Sequence, residues 1–413
     1  MKIAVFTDSY QPYVSGVVRS IDTFGAELLE LGHEVYIFGP RYYHGAASQP
    51  AKPERPPALK VFRFWSIPVP TYRGFNVPVP ISMQAEALLQ QLGIDIIHSH
   101  TPFVMGVMAA VLARRRRIPL AFTHHTMYHE YVHYVPGLRT VLRQAMLRYV
   151  AGYCRRADLV IAPTPQIRDF IVDAYRLAGK PVKVIPTGIP VDDYKDGDSR
   201  WLRQRLGIRP DERVLIFVGR LGREKNVGFL LEAFQRVRAA LDGVHLVLVG
   251  DGPERPRLER LAREAGLARQ VHFTGTFARE QVIQALHGAD LFVIASTTET
   301  QGLATLEAMA AGLPVVGVDA PGTHDMVQNG IQGLLRPEDP AAFADAVVSL
   351  LTNDTKYRQC AARARARAEA LSSREMALRL VGAYQELLTP GLHGSRVGRD
   401  SKVAVELPKG VSH

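Results

Sequence analysis

Cysteine is scarce in this chain, and long apolar runs are absent. Only Cys154 and Cys360 occur among 413 residues, so the sequence does not predict a disulfide framework. The longest apolar stretch, residues 103–113, is well short of the roughly 18–20 residues that a membrane-spanning helix requires. The first apolar run ends at Thr7 and Asp8, which is unlike a secretory signal. We therefore expect a cytoplasmic protein without a membrane span.

Acidic residues are sparse in the first half of the chain. Residues 1–187 hold 21 Lys and Arg against 12 Asp and Glu, whereas residues 188–413 hold 29 against 28. The excess of basic residues in the first half includes the consecutive arginines 114–117 and the segment 52–75, where basic residues are interleaved with aromatic ones. Such a surface suits anionic lipid headgroups and would also attract nucleic acid. For residues 114–117 taken alone, a merely solvated basic face is an equally good interpretation.

The hydrophobic pattern predicts an α/β fold. The hydrophobic content of 47% and the mean hydropathy of -0.02 are typical of globular proteins, and 413 residues suffice for two domains. Short β-branched runs alternate with amphipathic stretches, which predicts two doubly wound, Rossmann-like domains facing across a cleft. Strands are predicted at 3–6, 35–38, 60–64, 94–98, 120–123, 159–162, 182–185, 214–218, 245–249, 271–273, 291–294 and 315–318. Helices are predicted at 17–31, 84–92, 104–113, 138–153, 227–240, 254–265, 279–288, 304–311, 355–371 and 374–388.

The domain boundaries follow from composition. Residues 1–187 form the predicted first domain and residues 199–371 the second, joined by the linker 188–198, which is rich in Pro, Gly and Asp. Residues 389–413 show little periodicity, and we expect a loose tail there.

Polar motifs follow several predicted strands, at the sheet edge where parallel α/β folds bind ligands. Gly16 lies in the loop TDSYQPYVSGVV, where a glycine lets phosphates approach a helix N-terminus. The loop is not G-x-G-x-x-G, which argues against a dinucleotide cofactor. In GRLGREKN, Arg220 and Lys225 could neutralise a pyrophosphate, although either residue alone is more simply a solvated charge.

The segment TETQGLATLEAMAAGLPVV, residues 298–316, is the most informative motif. Glu299 lies in a loop, Gly302, Leu303 and Ala304 make the turn, and Glu307 lies on the helix that follows. Backbone N–H groups at the turn would point at an anion between the two carboxylates. This arrangement suits a nucleotide-sugar, which has hydroxyl groups on both sides of its phosphates.

GRLGREKN, LVGDGPER, ETQGLATLE and EAMAAGLPVV, in this order, resemble the retaining family 4 glycosyltransferases of the GT-B fold. The resemblance covers about residues 1–388. It implies that Arg220 and Lys225 hold the donor diphosphate, that Glu299 bonds the sugar hydroxyls and that Glu307 reaches the ribose. Gly16 would lie near the donor phosphates from the other domain.

The resemblance also implies which substrate each domain binds. The first domain would bind the acceptor, the second would bind the nucleotide-sugar as a substrate, and helix 374–388 would cross back to the first domain. Neither a divalent metal nor a resident cofactor is expected. Neither glutamate is placed as a covalent nucleophile, because both are assigned to donor binding, and the resemblance implies front-side attack with retention of configuration.

HEYVH, residues 129–133, matches the H-E-x-x-H motif of zinc proteases. A third ligand is missing, because no Glu occurs between Glu130 and Glu212. Pro136 and Gly137 also interrupt the long helix that the motif needs. We therefore interpret the match as accidental and expect no metal site.

Several histidines are candidates for the cleft. The resemblance implies that His125 touches the donor sugar near the reacting carbon. His98 and His100 in HSHTPF, and Tyr128, are candidate acceptor residues, and a structural role is equally consistent for the two histidines. The simplest interpretation of His124, His129 and His133 is structural.

The acceptor is predicted from weaker signals. HSHTPF, HTMYHEYVHYVPG and ETQGL are similar to segments of bacterial diacylglycerol glucosyltransferases, which implies UDP-glucose as donor and a membrane lipid as acceptor. The apolar stripe of helix 138–153 lies beside arginines and suits an anionic membrane surface, although a core-packed helix gives the same stripe. We expect a peripheral location on the inner face of the cell membrane and no nucleic-acid partner.

Three alternatives stay open at this point. A mannosyltransferase that uses GDP-mannose on phosphatidylinositol or a soluble sugar would share the donor motifs. A nucleotide-sugar epimerase would use a similar fold without an acceptor. A non-enzymatic binder of anionic membrane or nucleic acid would need only the basic half.

Overall fold

The computed structural model describes residues 1–13, 15–42, 59–68, 76–79, 82–129 and 139–389. Their strands, in chain order, are β1 (Lys2–Phe6), β2 (Glu34–Pro40), β3 (Lys60–Phe64), β4 (Ser66–Pro68), β5 (Asn76–Pro78), β6 (Ile96–Ser99), β7 (Leu120–Thr123), β8 (Leu159–Ala162), β9 (Val182–Val184), β10 (Arg213–Val218), β11 (Val244–Val249), β12 (Val271–Gly275), β13 (Leu291–Ile294), β14 (Val315–Val318) and β15 (Gly333–Arg336). The first-half helices are α1 (Gly16–Glu30), α2 (Ser82–Leu92), α3 (Val104–Arg116), α4 (Arg139–Arg156) and α5 (Pro165–Ala174).

The second half contains the other helices of the described chain. They are α6 (Trp201–Leu206), α7 (Val227–Ala240), α8 (Arg255–Glu264), α9 (Arg279–His287), α10 (Leu303–Ala310), α11 (Pro321–Met326), α12 (Pro340–Thr352), α13 (Asp354–Ala370) and α14 (Ser373–Leu388). Short 3-10 turns span Val191–Tyr194 and Arg223–Lys225.

Two parallel sheets confirm the predicted fold class. The order of the described strands is β3-β2-β1-β6-β7-β8-β9 in the first sheet and β12-β11-β10-β13-β14-β15 in the second, while β4 and β5 form a separate antiparallel pair. The order reverses direction next to β1 in the first sheet and next to β10 in the second. Ligands of doubly wound sheets bind at such switch points, beyond the carboxyl ends of the strands.

Apolar side chains fill both faces of each sheet. In the first domain, α2, α3, α4 and α5 cover one face, and α1 covers the other. The cluster on the α1 side continues through α14 into the second domain, where it includes Ile216 and Met309.

Helix α14 crosses back to the first domain, as predicted. It packs against α1, and the hydroxyl of Ser373 donates to the carboxylate of Glu27. Tyr384 lies farther along α14 and is fully buried. In the described part of the chain, no helix combines the length and the apolar character that a membrane span requires.

Candidate active site between the two sheets

Gly16 is the first residue of α1, at the carboxyl edge of the first sheet. Ser15 caps this helix, because its Oγ accepts a hydrogen bond from the Val18 amide at 3.3 Å. A Cβ atom built on Gly16 would have no heavy atom within 4 Å beyond its chain neighbours. The glycine therefore leaves open space in front of a helix N-terminus, which is the position that the sequence predicts for donor phosphates.

His98, His100 and His125 come together at the ends of β6 and β7. His100 Nδ1 lies 2.8 Å from His125 Nε2, and the two rings stack at 5.0 Å. His98 Nε2 lies 2.7 Å from Thr123 Oγ1, and its Nδ1 lies 2.6 Å from the hydroxyl of Tyr384 on α14. The returning helix therefore holds one end of this histidine cluster.

Burial keeps the cluster neutral near pH 7. It lowers the pKa of His98 and of His125 to about 3, with smaller contributions from neighbouring histidines, and it lowers the pKa of His100 well below its usual range. A neutral imidazole has one N–H donor and one nitrogen acceptor, so each ring can orient a neighbour. His125 can thus bond a sugar hydroxyl, whereas these pKa values do not suit a general acid.

Two further side chains line this edge. The ring of Tyr128 meets Phe103 edge-on at 5.1 Å, on the side of His124. Asp8 is buried at the N-terminus of α3, where its carboxylate accepts from Thr101 Oγ1 at 2.5 Å and from the Met105 amide at 2.9 Å. Burial raises the pKa of Asp8, and these bonds oppose the shift. Asp8 therefore fixes the start of α3 beside the histidines.

The GRLGREKN loop is built against the neighbouring strand ends. The Leu221 amide donates to the Asp251 carbonyl, and the Glu254 amide donates to the Leu221 carbonyl, so the loops after β10 and β11 are paired. Arg220 is exposed in this loop. Lys225 ends the 3-10 turn at Arg223–Lys225, which Ser296 fixes by donating to the Glu224 carbonyl at 3.0 Å.

Lys225 and Glu299 form an ion pair at the carboxyl edge of the second sheet. Both side chains keep some exposure, 24% and 16% respectively. Gly302 follows in the left-handed region, with φ of 78°, and α10 begins at the next residue. A side chain at this φ would be strained, so glycine permits the turn that exposes the Leu303 and Ala304 amides.

Glu307 lies on α10 and is almost fully buried. Its carboxylate is 2.5 Å from Nη2 of Arg19, which projects from α1 of the first domain. Tyr194 lies beside this pair, and its hydroxyl is 3.5 Å from the same guanidinium. The predicted ribose-binding carboxylate therefore lies at the contact between the two domains.

A direct contact joins the donor loop to the histidines. The hydroxyl of Thr300 donates to the backbone carbonyl of His125 at 2.8 Å. Glu299 precedes Thr300, so residues predicted from separate domains to touch the same sugar lie on adjacent segments. The structure brings Glu299 and His125 onto neighbouring segments, and their contacts with the sugar stay predictions.

The zinc-protease motif is only partly within the described structure. Its first histidine, His129, is buried and stacks on Phe170 at 5.1 Å, whereas Glu130 and residues 131–133 lie outside the described residues. Within the described ranges, no group of three or more His, Cys, Asp or Glu side chains could hold a metal ion.

Some residues at the site were not predicted from the sequence. Arg19, Asp8, Tyr384 and Gln301 owe their positions to partners at least 90 residues away in the chain. Asp8 lies two residues after the buried strand β1, and this position at a strand end is a signal that the sequence carries. Nothing local distinguishes Arg19 or Tyr384 from other helical residues.

Comparisons with known proteins agree with this geometry. The model of Glycosyltransferase Family 4 matches residues 14–193, and that of Glycosyl transferases group 1 matches residues 198–367. The alpha-monoglucosyldiacylglycerol synthase of Streptococcus pneumoniae is 35% identical over 341 residues, covering 81% of this chain and 75% of the relative. The enzyme of the same name from Acholeplasma laidlawii is 33% identical, covering 76% and 80%.

Solved structures support the fold. Anabaena HepE in complex with UDP-glucose superposes with a TM-score of 0.74 at 23% identity, covering 94% of this chain and all of that one. Sucrose-phosphate synthase from Thermosynechococcus elongatus gives the same TM-score and identity. With two family models on consecutive halves and relatives above 30% identity over most of its length, the chain belongs to the family 4 glycosyltransferases of the GT-B fold.

Proposed function

We propose that this enzyme transfers glucose from UDP-glucose to a membrane lipid such as diacylglycerol, with retention of configuration and without a divalent metal. The main support is the contact between Thr300 and the His125 carbonyl, which sets the Glu299 loop against the histidine cluster. The two most similar relatives described above are named for a glucosylated diacylglycerol, which favours this acceptor.

The donor would lie between α1 and α10. Lys225 and Arg220 neutralise the diphosphate in place of a metal ion, and the amides after Gly302 add hydrogen bonds. Glu299 bonds hydroxyls of the hexose, and Glu307 bonds the ribose. Gly16 gives the phosphates room at the N-terminus of α1.

In this proposal the acceptor hydroxyl attacks the anomeric carbon from the face that the diphosphate leaves. The bond from that carbon to the phosphate oxygen breaks as the bond to the acceptor oxygen forms, and the acceptor's proton passes to the departing phosphate. Negative charge grows on the diphosphate, so the cations of Lys225 and Arg220 stabilise the transition state more than the ground state. Neutral His125 orients the sugar.

The first domain carries an exposed surface that would suit an anionic membrane. On the layer formed by α2, α3, α4 and the β4–β5 pair, large apolar side chains are exposed beside arginines. We call this layer the apolar-basic face, and its members are Trp65, Ile67, Val77, Met83, Val107, Val111, Arg114, Arg115, Arg116, Arg117, Val141, Arg148 and Tyr149.

The helices of this face are adjacent, and together they carry an excess of basic residues. Nη1 of Arg115 lies 3.6 Å from Glu86 on α2, and the Tyr149 hydroxyl donates to the Pro102 carbonyl at the start of α3. Glu86 is the one acidic residue in the sequences of α2, α3 and α4, which carry eight arginines. Apolar side chains among cations suit an anionic bilayer, since each basic residue near its surface contributes about 1 kcal/mol.

Product analysis tests the reaction. The protein is incubated with UDP-glucose, UDP-galactose or GDP-mannose, each with and without diacylglycerol vesicles, and the lipids are analysed by mass spectrometry and anomeric NMR. We expect an α-linked glucosyl lipid from UDP-glucose alone, formed in the presence of EDTA. A mannosylated product, an inverted anomer or a soluble glycoside would overturn the corresponding part of the proposal.

Flotation with anionic vesicles tests the surface. Replacing Arg114 and Arg148 together by Glu should weaken binding at least about 30-fold, because two contributions of about 1 kcal/mol are lost. Val141→Ser should weaken it further. The matched controls, Arg236→Glu and Leu378→Ser, change exposed residues elsewhere and should bind as the wild type. If the control variants lose as much vesicle binding as the variants of the apolar-basic face, this face is not the membrane-binding surface.

A further inference from the structure

The side chain of Gln301 pairs with the backbone N–H and C=O of a single residue, Thr187, on another segment. Its Oε1 accepts from the Thr187 amide at 2.8 Å, and its Nε2 donates to the Thr187 carbonyl at 2.6 Å. Gln301 is only 5% exposed, so water cannot replace these bonds without opening the structure. A buried amide that satisfies both groups of one residue acts as one rung of a sheet.

Thr187 lies where the chain leaves the first sheet. Its hydroxyl donates to Ser20 Oγ on α1 at 2.8 Å, which fixes it to the first domain. Two residues later, Ile189 bridges Ser372, and the Ser373 amide donates to the Ile189 carbonyl at 2.8 Å. The outgoing and returning connections therefore run side by side, and Gln301 is bonded to the outgoing one at this crossing.

The residues around Gln301 belong to the donor loop. Glu299 pairs with Lys225, Thr300 donates to the His125 carbonyl, and Gly302 starts the turn into α10. Thr300 and Gln301 thus attach the loop to two points of the first domain. The sugar is predicted to lie between Glu299 and His125. This attachment therefore sets the distance between Glu299 and His125, on which transfer depends.

We propose that Gln301 is a positioning residue, which holds the donor loop on the interdomain crossing and thereby aligns Glu299 with His125. The inference rests on the proposed function. Of the groups assigned to the nucleotide, Arg220, Lys225 and Gly16 lie on segments other than the donor loop. Loss of the pair therefore affects alignment of the sugar, while the nucleotide still binds.

Only some side chains can replace this amide. Methionine has a similar size but cannot bond the Thr187 amide or carbonyl. A neutral glutamic acid can accept from the amide and donate to the carbonyl, as glutamine does, whereas the carboxylate has no proton to donate and faces the carbonyl oxygen. In Gln301→Glu, the pairing with Thr187 should therefore form only when the glutamic acid is protonated.

The test compares kcat and the Kd for UDP in Gln301→Met, Gln301→Glu and the wild type. We expect kcat of Gln301→Met to fall about ten- to a hundredfold, as for a small misplacement of reacting groups, while the Kd for UDP changes less than about threefold. For Gln301→Glu, the ratio of its kcat to the wild-type kcat should rise as pH is lowered, because protonation restores the missing donor.

Gln332 provides a matched control. It is also a 5% exposed glutamine of the second domain, and its Oε1 accepts from the Gln328 amide at 2.8 Å. Calorimetry measures the folded fraction of each variant, and kcat is expressed per folded molecule. On this basis Gln332→Met and Gln332→Glu should keep the wild-type kcat and the wild-type dependence of kcat on pH.

The outcomes separate the inference from the proposed function. If the wild type transfers glucose but Gln301→Met keeps its kcat, or loses kcat and UDP affinity equally, the positioning role is wrong and the function stands. A Gln301→Glu profile parallel to that of Gln332→Glu would also overturn the role. If the wild type binds no UDP and transfers no sugar, both proposals fail.

Discussion

Replacement of Gly16 by alanine should raise stability and lower donor affinity. Gly16 is the first residue of α1, and a Cβ atom there would meet no heavy atom within 4 Å beyond its neighbours. Its φ is outside the left-handed region, so alanine fits the backbone without strain. The lower entropy of the unfolded chain should then stabilise the protein by about 0.4–1 kcal/mol.

The expected cost to binding comes from the space that the methyl group takes. If the donor phosphates lie against the N-terminus of α1, the added methyl overpacks that contact, which typically costs about 1–3 kcal/mol. The Kd for UDP-glucose should therefore rise about 5- to 150-fold. The two effects have opposite signs, so loss of folding cannot explain the loss of binding.

Isothermal titration with UDP-glucose and thermal unfolding measure the two effects. Gly382→Ala is the matched control, because this glycine also lies in a helix and its added Cβ would meet no heavy atom within 4 Å. It should gain stability and keep the wild-type Kd. If Gly16→Ala also binds UDP-glucose with the wild-type Kd, the phosphates do not lie at α1, and the proposed donor orientation is refuted.

Two further substitutions test the second domain. Lys225→Met should lower kcat at least about a hundredfold through loss of charge stabilisation, with little change in the thermal midpoint, whereas the control Lys356→Met should keep wild-type kinetics. Unchanged turnover of Lys225→Met would remove its assigned role. Glu299→Gln should narrow the preference for UDP-glucose over UDP-galactose in kcat/KM, and a variant with wild-type selectivity would contradict the assigned contact with the sugar.

Hydrophobic periodicity predicted the elements that dominate the two sheets. The pattern from 227 to 240 gave the helix Val227–Ala240 with the same ends, and the shorter strands shifted by a residue or two, as with Ile96–Ser99. The predicted set lacks three helices whose first residues are Pro165, Pro321 and Pro340. Proline interrupts a helix interior but suits the first turn, where its missing N–H is not needed.

The sequence predicts those parts of the candidate site that lie in loops directly after the strands. The loops that carry Lys225 and Glu299 follow adjacent strands, so topology alone brings them together. The pairing of Arg19 with Glu307, and of Gln301 with Thr187, depends instead on how two domains are placed against each other. That placement results from many weak contacts over the whole chain, and no local pattern encodes it.

The histidine cluster should make the protein sensitive to mild acid. Burial lowers the pKa of His98 to about 3, whereas its pKa in the unfolded chain is near 6.5. Below pH 6.5 the unfolded chain therefore takes up a proton that the folded chain excludes, and the free energy of unfolding falls as the pH falls. Between pH 7 and pH 5, His98 alone should account for a loss of about 2 kcal/mol.

Urea unfolding of His98→Gln at these two pH values measures this contribution. The variant should be less stable at pH 7, because the bonds to Tyr384 and Thr123 are disturbed. Between pH 7 and pH 5, however, it should lose about 2 kcal/mol less than the wild type. If His98→Gln and the wild type lose the same free energy, folded His98 takes up a proton as readily as the unfolded chain does, and burial does not lower its pKa.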